Sequence, residues 1–315
     1  MLKRMFIKKA ILISATLFAI GLLYLIPKER IYNLKLKPEV EYIDNTILTH
    51  TIYLLDKDDY LGMTKVVISD NDINIKAKEL LEALITNNDK LPNGFKGIIP
   101  NDTKINSIKY ENNLIKVDFS KELLEVKLED EEKMIEAIVY TLTSIKEVDR
   151  VIIYIEGDIL TKLPNSKINL PSTLDRSYGI NKEYNLENYQ DVNHVTIYYS
   201  SKDNYYIPVT KYYNGDKNKI KIIIDELASS YIYNTNLMSY LNSNTKLLAT
   251  EQELDTLFLV FNDYIFNDMN TRNILEEVAY SISLSINDSC NIKNVVYMVD
   301  KEEIYKTTMK ILENY

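Results

Sequence analysis

Apolar residues recur at helical spacing in four stretches of the chain. A stripe at positions i, i+3, i+4 and i+7 is typical of the buried face of an amphipathic helix. The spacing predicts helices over about 76–86 and 218–229, and similar stripes predict helices over about 131–145 and 271–286. The stripes consist of Ala77, Leu80, Leu81 and Leu84; Ile220, Ile223, Ile224 and Leu227; Met134, Ile138, Leu142 and Ile145; and Leu275, Val278, Ile282 and Ile286.

Alternating apolar residues between these helices predict half-buried strands. Each half of the chain then has the element order β-α-β-β-α-β, with room for one more strand early. Strands backed by two helices on one face predict a two-layer α+β domain. The alternating positions are Ile115, Val117 and Phe119, and Leu257, Leu259 and Phe261. The predicted strands cover about 50–55, 65–69, 104–110, 114–119 and 151–155, and about 195–200, 206–212, 257–261 and 295–299.

The two halves are copies of one domain. Matches recur in the same order at spacings between 140 and 145 residues, and their shared order is the evidence for a duplication. The matches are Thr51-Ile52-Tyr53 with Thr196-Ile197-Tyr198; Lys57, Asp58 and Tyr60 with Lys202, Asp203 and Tyr205; Asn101-Asp102-Thr103-Lys104-Ile105 with Ser243-Asn244-Thr245-Lys246-Leu247; Val117-Asp118-Phe119-Ser120 with Val260-Phe261-Asn262-Asp263; and Ile135, Glu136, Tyr140, Thr141, Leu142 and Thr143 with Leu275, Glu276, Tyr280, Ser281, Ile282 and Ser283.

An uncharged apolar run precedes the repeats. It covers residues 10–27, which as a helix would be roughly 27 Å long, close to the thickness of the bilayer hydrocarbon core. Four Lys or Arg residues precede it, and no small-residue cleavage site follows it. We therefore predict a single-pass transmembrane signal-anchor with a cytoplasmic tail at residues 1–9 and the bulk of the chain outside the cell membrane. A cleaved signal peptide is the alternative interpretation.

The remaining chain divides into a tether and two domains. We predict a tether over residues 28–47, a first domain over 48–162 and a second, divergent domain over 191–315. The intervening segment 163–190 contains Pro and Gly and lacks periodicity, which is typical of a linker or of a long ordered tail of the first domain. The predicted architecture is α+β, with two tandem copies behind one N-terminal transmembrane helix.

Charge limits the kinds of partner. The formal net charge is −9; residues 1–30 carry a net +5, so the other 285 residues carry −14. Such an acidic body repels phosphate backbones and anionic wall polymers, which argues against nucleic-acid binding. The chain contains 25 tyrosines, from which we infer no function.

The chain offers few residues for chemistry. His50 and His194 each lie just before the predicted opening strand of a copy, which favours a structural or accidental role common to both repeats over catalysis. Cys290 is the single cysteine, and we interpret it as a partly buried, unreactive residue because no activating partner is evident. The sequence therefore predicts no catalytic residues, no cofactor-binding residues, no metal ligands and no cofactor.

Two acidic stretches invite a calcium interpretation. Neither contains the central glycine that a calcium-binding loop requires. We therefore interpret the first as a solvated loop and the second as a helix N-cap, and Glu156-Gly157-Asp158 as a turn that ends a strand. The first stretch contains Asp56, Asp58 and Asp59, and the second contains Asp268, Asn270 and Glu276.

The first copy resembles the GerM domain of spore-forming bacteria over residues 48–160. The resemblance lies in Tyr53 to Asp56; Ile99, Pro100, Thr103 and Ile105; Val117 to Ser120; Ala137 to Thr143; and Val148, Val151, Ile153, Ile155, Glu156 and Gly157. The second copy departs from this pattern: it lacks the Ile-Pro step, has Val-Phe-Asn-Asp for Val-Asp-Phe-Ser, and ends its last strand in Val299-Asp300-Lys301.

The resemblance implies a non-catalytic component of an envelope complex between mother cell and forespore, acting in sporulation or germination. Related domains resemble ring-building motifs that assemble through sheet and helix faces. The implied partners are envelope or sporulation-complex proteins, including further copies of the chain, with the membrane bound through the N-terminal helix. A peptidoglycan-binding envelope protein is the alternative, and a wall hydrolase would need a carboxylate pair in a cleft.

Overall fold

The structure is a computed structural model that describes residues 49–86, 91–229 and 237–308. The predicted cytoplasmic tail, transmembrane signal-anchor and tether, residues 1–47, lie outside these ranges. Within them, no helix has both the length and the apolar character needed to cross a membrane.

Both copies contain the predicted succession of helices and strands. The first copy consists of β1 (Thr49–Asp56), β2 (Leu61–Val67), α1 (Ile73–Ala83), β3 (Phe95–Lys96), β4 (Ile105–Glu111), β5 (Leu114–Phe119), α2 (Glu131–Leu142), β6 (Arg150–Ile155) and β7 (Asp158–Ile159). The second part consists of β8 (Glu183–Asn185), β9 (Val192–Ser200), β10 (Tyr206–Asn214), α3 (Lys219–Leu227), β11 (Leu247–Glu253), β12 (Thr256–Phe261), α4 (Glu276–Cys290), β13 (Asn294–Val299) and β14 (Glu302–Thr308).

Local chemistry explains where several of these elements begin and turn. The Asp72 side chain accepts hydrogen bonds from the backbone amides of residues 74 and 75 and so caps α1. Asn218 caps α3 in the same way, by accepting from the backbone amide of residue 221. Asn112 and Asn113 both have positive φ, as a tight turn between β4 and β5 requires.

The strands form three sheets. One six-stranded sheet has the order β3-β1-β2-β10-β8, with β9 also paired to β10. Each copy adds its own four-stranded sheet, β4-β5-β6-β7 in the first and β11-β12-β13-β14 in the second. In both four-stranded sheets the two central strands are parallel and are connected through a helix, α2 or α4.

This arrangement corrects the predicted two-layer domain. Helix α2 packs on β1 of the six-stranded sheet and on β6 of the four-stranded sheet, so that it lies between two sheets. Its residues from Met134 to Leu142 are buried on all sides. A helix that is buried all round needs partners on more than one face. Likewise, α4 contacts both β9 and β14.

The hairpin turns show the duplication in atomic detail. The Asp56 side chain accepts hydrogen bonds from the backbone amides of Asp58 and Tyr60, at 2.8 and 2.9 Å. At a spacing of 145 residues, the Ser201 hydroxyl accepts from the backbone amides of Asp203 and Tyr205, at 3.1 and 3.3 Å. The two copies therefore use the same turn with a different accepting side chain.

The structure also corrects the predicted match between the second helices. In the first copy, Thr141 accepts a hydrogen bond from the Tyr53 backbone amide at 3.1 Å. In the second copy, Ser285 accepts from the Tyr198 backbone amide at 2.8 Å. The counterpart of Thr141 is therefore Ser285 and not Ser281, one helical turn later than predicted.

The match between the central strands is wrong by one residue. Ser120 and Asn262 are counterparts, because each side chain accepts a hydrogen bond, at 2.9 Å, from the backbone amide at the start of the neighbouring strand, that of Lys104 or Lys246. Val117-Asp118-Phe119-Ser120 therefore corresponds to residues 259–262. The match of Lys104 with Lys246 is confirmed.

Each copy has its own hydrophobic core. The segment 163–190 contributes four buried apolar residues to the core of the first copy. They are Leu163, Leu170, Leu174 and Ile180.

Candidate functional site: the junction and the tyrosine groove

The two copies meet through equivalent strands. The six-stranded sheet continues from β2 of the first copy to β10 of the second, which pair antiparallel at Met63 and Tyr206. Close by, the hydroxyls of Tyr53 and Tyr198 are 3.3 Å apart. These two tyrosines are counterparts in the repeat, so the junction resembles a two-fold contact between identical patches.

The hairpin tips add contacts across the junction. The Tyr205 hydroxyl donates a hydrogen bond to the Asp56 carboxylate at 2.8 Å, and the Tyr205 ring lies 4.6 Å from that of Phe95. Burial and the Asp56 charge raise the pKa of Tyr205. Lys57 and Asp203 form an ion pair at 2.7 Å, which is exposed to solvent.

A buried ion pair lies behind the hairpins. The Arg176 guanidinium donates to Asp288 on α4 at 2.8 Å, and the Tyr198 hydroxyl donates to the same carboxylate oxygen at 2.8 Å. The Asp288 side chain is only 4% exposed, and the guanidinium also lies 4.7 Å above the Tyr140 ring. Since Arg176 follows the first copy and Asp288 belongs to the second, this pair ties the copies together.

The tail of the first copy also forms one wall of a groove. The groove has a volume of about 940 Å³ and lies between the segment 163–190, α2 and β10. Tyr184 and Tyr212 stack within it, with ring centroids 5.0 Å apart and planes 13° from parallel. Its lining includes Tyr178, Tyr189, Glu132, Asp175, Lys182 and Glu187.

Carboxylates give the groove a negative character. Lys182 pairs with Glu132 and, at 3.4 Å, with Glu136. Burial raises the pKa of Glu136 to about 7, against the opposing effect of Lys182. Burial raises the pKa of Tyr184 and Tyr212 as well, and the negative charges of both glutamates add to that shift.

The two histidines occupy related strands and do not meet in one site. His50 lies within β1 and His194 within β9, not before these strands as predicted. Burial lowers the pKa of His50 to about 4, with Lys76 adding to the shift, and burial also lowers the pKa of His194. Burial therefore disfavours the protonated form of both imidazoles.

Cys290 is the last residue of α4 and is partly buried. Burial raises the pKa of its thiol, with Lys219 acting in the opposite direction. The thiolate, which is the reactive form of cysteine, is therefore disfavoured.

The interpretation of the two acidic stretches needs correction. Asp56 is 1% exposed and closes a hairpin turn, so the first stretch is not simply a solvated loop. The N-cap of α4 is Leu275, and Asp268 instead accepts a hydrogen bond from the backbone amide of Asn270 in a preceding turn. The predicted turn at residues 156–158 is confirmed, because it connects β6 and β7.

The described ranges contain no group of three or more His, Cys, Asp and Glu side chains that could hold a metal ion. That the chain has no catalytic, cofactor-binding or metal-binding residues stays a prediction.

Sequence reasoning missed the junction residues Arg176 and Asp288 and the groove residue Tyr184. The one available signal was the set of apolar residues within 163–190, which favours an ordered segment over a flexible linker. The pairing of Arg176 with Asp288, 112 residues apart, has no local signature.

Comparisons with known proteins agree with this architecture. A family model described as "Germane: Sporulation and spore germination" matches residues 51–161. The spore germination protein GerM of Bacillus subtilis (strain 168) is 32% identical over 261 residues, which cover 79% of this chain and 70% of that protein. A solved structure of the tandem GerMN domains of the sporulation protein GerM from Bacillus subtilis matches with a TM-score of 0.73 and 29% identity.

That structural match covers 81% of this chain and 92% of the solved one, so it includes both copies and the junction region between them. The predicted tandem duplication is thereby confirmed together with the α+β class. Because the chain is 32% identical to GerM over 70% of that protein and has the same tandem fold, it belongs to the GerM family.

Proposed function

We propose that this chain is a non-catalytic, membrane-anchored protein outside the cytoplasm, which acts as an assembly component in sporulation or spore germination through contacts with other proteins. Its similarity to GerM supports the sporulation-related role. The assembly role and the anchor at residues 10–27 are inferences of our own.

The continuous sheet across the junction carries this proposal. One six-stranded sheet receives strands from both copies, and a buried ion pair behind it connects the tail of the first copy to α4 of the second. Such a junction fixes the orientation of two domains, which a scaffold requires and which a flexible tandem binder does not.

Exposed apolar side chains supply surfaces for contacts. Val67 is 68% exposed at the end of β2, and Leu248 is 62% exposed on β11, the edge strand of the second four-stranded sheet. An unpaired edge strand is a common place for another chain to pair.

A fluorescent fusion followed through sporulation tests the proposal. We expect the full chain to become enriched at the membrane that engulfs the forespore, and a variant lacking residues 1–30 to lose that enrichment. A uniform envelope signal in growing cells that does not change on starvation would contradict the sporulation role. Sedimentation of the purified chain with cell-wall sacculi distinguishes the alternative, since an assembly protein stays in the supernatant.

A further inference from the structure

The tyrosine groove presents an aromatic platform to solvent. The ring of Tyr184 is stacked on Tyr212 on one side, and the residue remains 64% exposed. Tyr189 in the same groove is 96% exposed. Two such rings on one short segment expose apolar area that a binding partner could cover.

The same groove already holds a cation of the chain itself. The Lys182 ammonium lies 3.6 Å from the centroid of the Tyr178 ring and pairs with Glu132 and Glu136. An aromatic face combined with carboxylates is a favourable environment for an ammonium or guanidinium group. Among the described residues, no Lys or Arg lies over the Tyr184 ring, so this ring offers an aromatic face without a cation.

The charges around the Tyr184 ring indicate which kind of ligand the groove would bind. Glu187 and Asp175 line the groove and are absent from the ion pairs found among the described residues, whereas Lys182 is already neutralised. The groove therefore attracts a basic group and repels an anionic one.

The strand that carries Tyr184 favours a peptide ligand over a sugar. β8 carries Tyr184 and is the last strand on its side of the six-stranded sheet, paired there with β10. A terminal strand offers backbone donors and acceptors to an extended peptide, which adds as a further strand. A glycan would use the aromatic rings and would leave these backbone groups without a strand partner.

We propose that the groove binds an extended peptide segment of a partner protein and that a Lys or Arg of this segment lies over Tyr184 near Glu187. The proposal rests on the assembly function proposed above, and it names the chemistry of one partner contact. An aromatic ring and a carboxylate then hold the partner's basic side chain, as they hold Lys182 within the chain.

Fluorescence polarisation tests the proposal with the purified full-length chain in detergent micelles. The probe is a fluorescein-labelled nonapeptide of alternating arginine and serine, and the matched probe has citrulline, a neutral isostere, at each arginine. We expect at least tenfold weaker binding of the citrulline peptide. Equal binding of the two peptides would overturn the proposal.

Matched variants place the binding in the groove. Tyr184→Ala and Glu187→Gln each remove one exposed contact and should weaken the arginine peptide about two- to fivefold, as for exposed cation–π contacts and ion pairs. Tyr264→Ala and Glu253→Gln change an exposed tyrosine and an exposed glutamate outside the groove and should leave binding unchanged. Equal weakening by the control pair would contradict the proposed site.

A sugar competitor separates the two classes of ligand. N-acetylglucosamine tetramer should not displace the arginine peptide; displacement that Tyr184→Ala abolishes would assign the groove to glycans and overturn the peptide proposal. The assembly function can survive that result, because it is tested by localisation in cells. A chain that does not bind the peptide but still becomes enriched at the engulfing membrane contradicts only the groove proposal. A chain that loses this enrichment contradicts the assembly role.

Discussion

Removal of the Asp288 carboxylate should loosen the connection between the two copies. The carboxylate accepts hydrogen bonds from Arg176 and Tyr198, both at 2.8 Å, and its side chain is 4% exposed. Asp288→Ala leaves the Arg176 charge without its partner at the junction. The chain should therefore unfold at a lower urea concentration.

The expected magnitude follows from burial. Removing one partner of a buried ion pair costs about 3–5 kcal/mol, because an uncompensated charge is left behind. The Arg176 side chain remains 29% exposed, so water relieves part of that cost. We therefore expect Asp288→Ala to lower the free energy of unfolding by about 2–4 kcal/mol.

The Lys57–Asp203 pair is a matched control at the same junction. It also connects the copies, at 2.7 Å, but its side chains are 57% and 54% exposed. Water screens exposed ion pairs, so Asp203→Ala should have a much smaller effect. Urea unfolding followed by far-UV circular dichroism measures both variants. Similar losses for both would refute the argument that burial makes the difference.

Three further predictions concern single residues. Burial lowers the pKa of His50 to about 4, so below pH 6.5 the unfolded chain binds a proton that the folded chain does not. The free energy of unfolding should fall as pH drops from 6.5 to 4, by at most about 1.4 kcal/mol per pH unit from this group. The urea midpoint of His50→Leu should fall less steeply over this pH range than that of the unchanged chain. The Tyr178 hydroxyl is buried without a hydrogen-bond partner among the described residues, so Tyr178→Phe should keep or raise the melting temperature. Tyr198→Phe loses a hydrogen bond to a carboxylate and should lower the free energy of unfolding by about 1.5–3 kcal/mol. Gly179 has a φ of 81°, and a Cβ at this position would overlap a tyrosine hydroxyl, whereas Gly157 has a φ of 88° and open space around it. Gly157→Ala should lower the free energy of unfolding by about 1–2 kcal/mol, the cost of a left-handed backbone. Gly179→Ala should lower it by more, and urea unfolding measures both.

Periodicity predicted the helices but not the register between the copies. A shift of four residues along a helix is close to one full turn, so it leaves the apolar stripe on nearly the same face. The predicted match of Thr141 with Ser281 therefore fits the pattern about as well as the match with Ser285. The hydrogen bonds to the backbone amides of Tyr53 and Tyr198 distinguish the two registers.

The division of strands between sheets could not be inferred from alternation. Alternating residues indicate that one face of a strand is buried, and they carry no information on which strand lies beside it. The signal that α2 lies between two sheets was present in its sequence. Ile135 and Val139 are apolar and lie outside the predicted stripe, and both are fully buried.

The groove arises from tertiary contacts that local patterns do not record. Tyr184 and Tyr212 are 28 positions apart and stack because β8 and β10 pair in parallel. In a chain with 25 tyrosines, their presence alone indicates nothing.

Site-specific photo-crosslinking in sporulating cells tests the assembly claim most directly. A photoreactive residue is placed at exposed positions, with the fully buried Leu259 as the control. We expect discrete protein adducts from at least one exposed position, appearing after the onset of sporulation and absent at Leu259. If no exposed position gives a protein adduct at any stage, in cells that contain the full-length chain, the proposed assembly role is wrong. The exposed positions are Val67, Leu128, Tyr184, Leu248 and Met269.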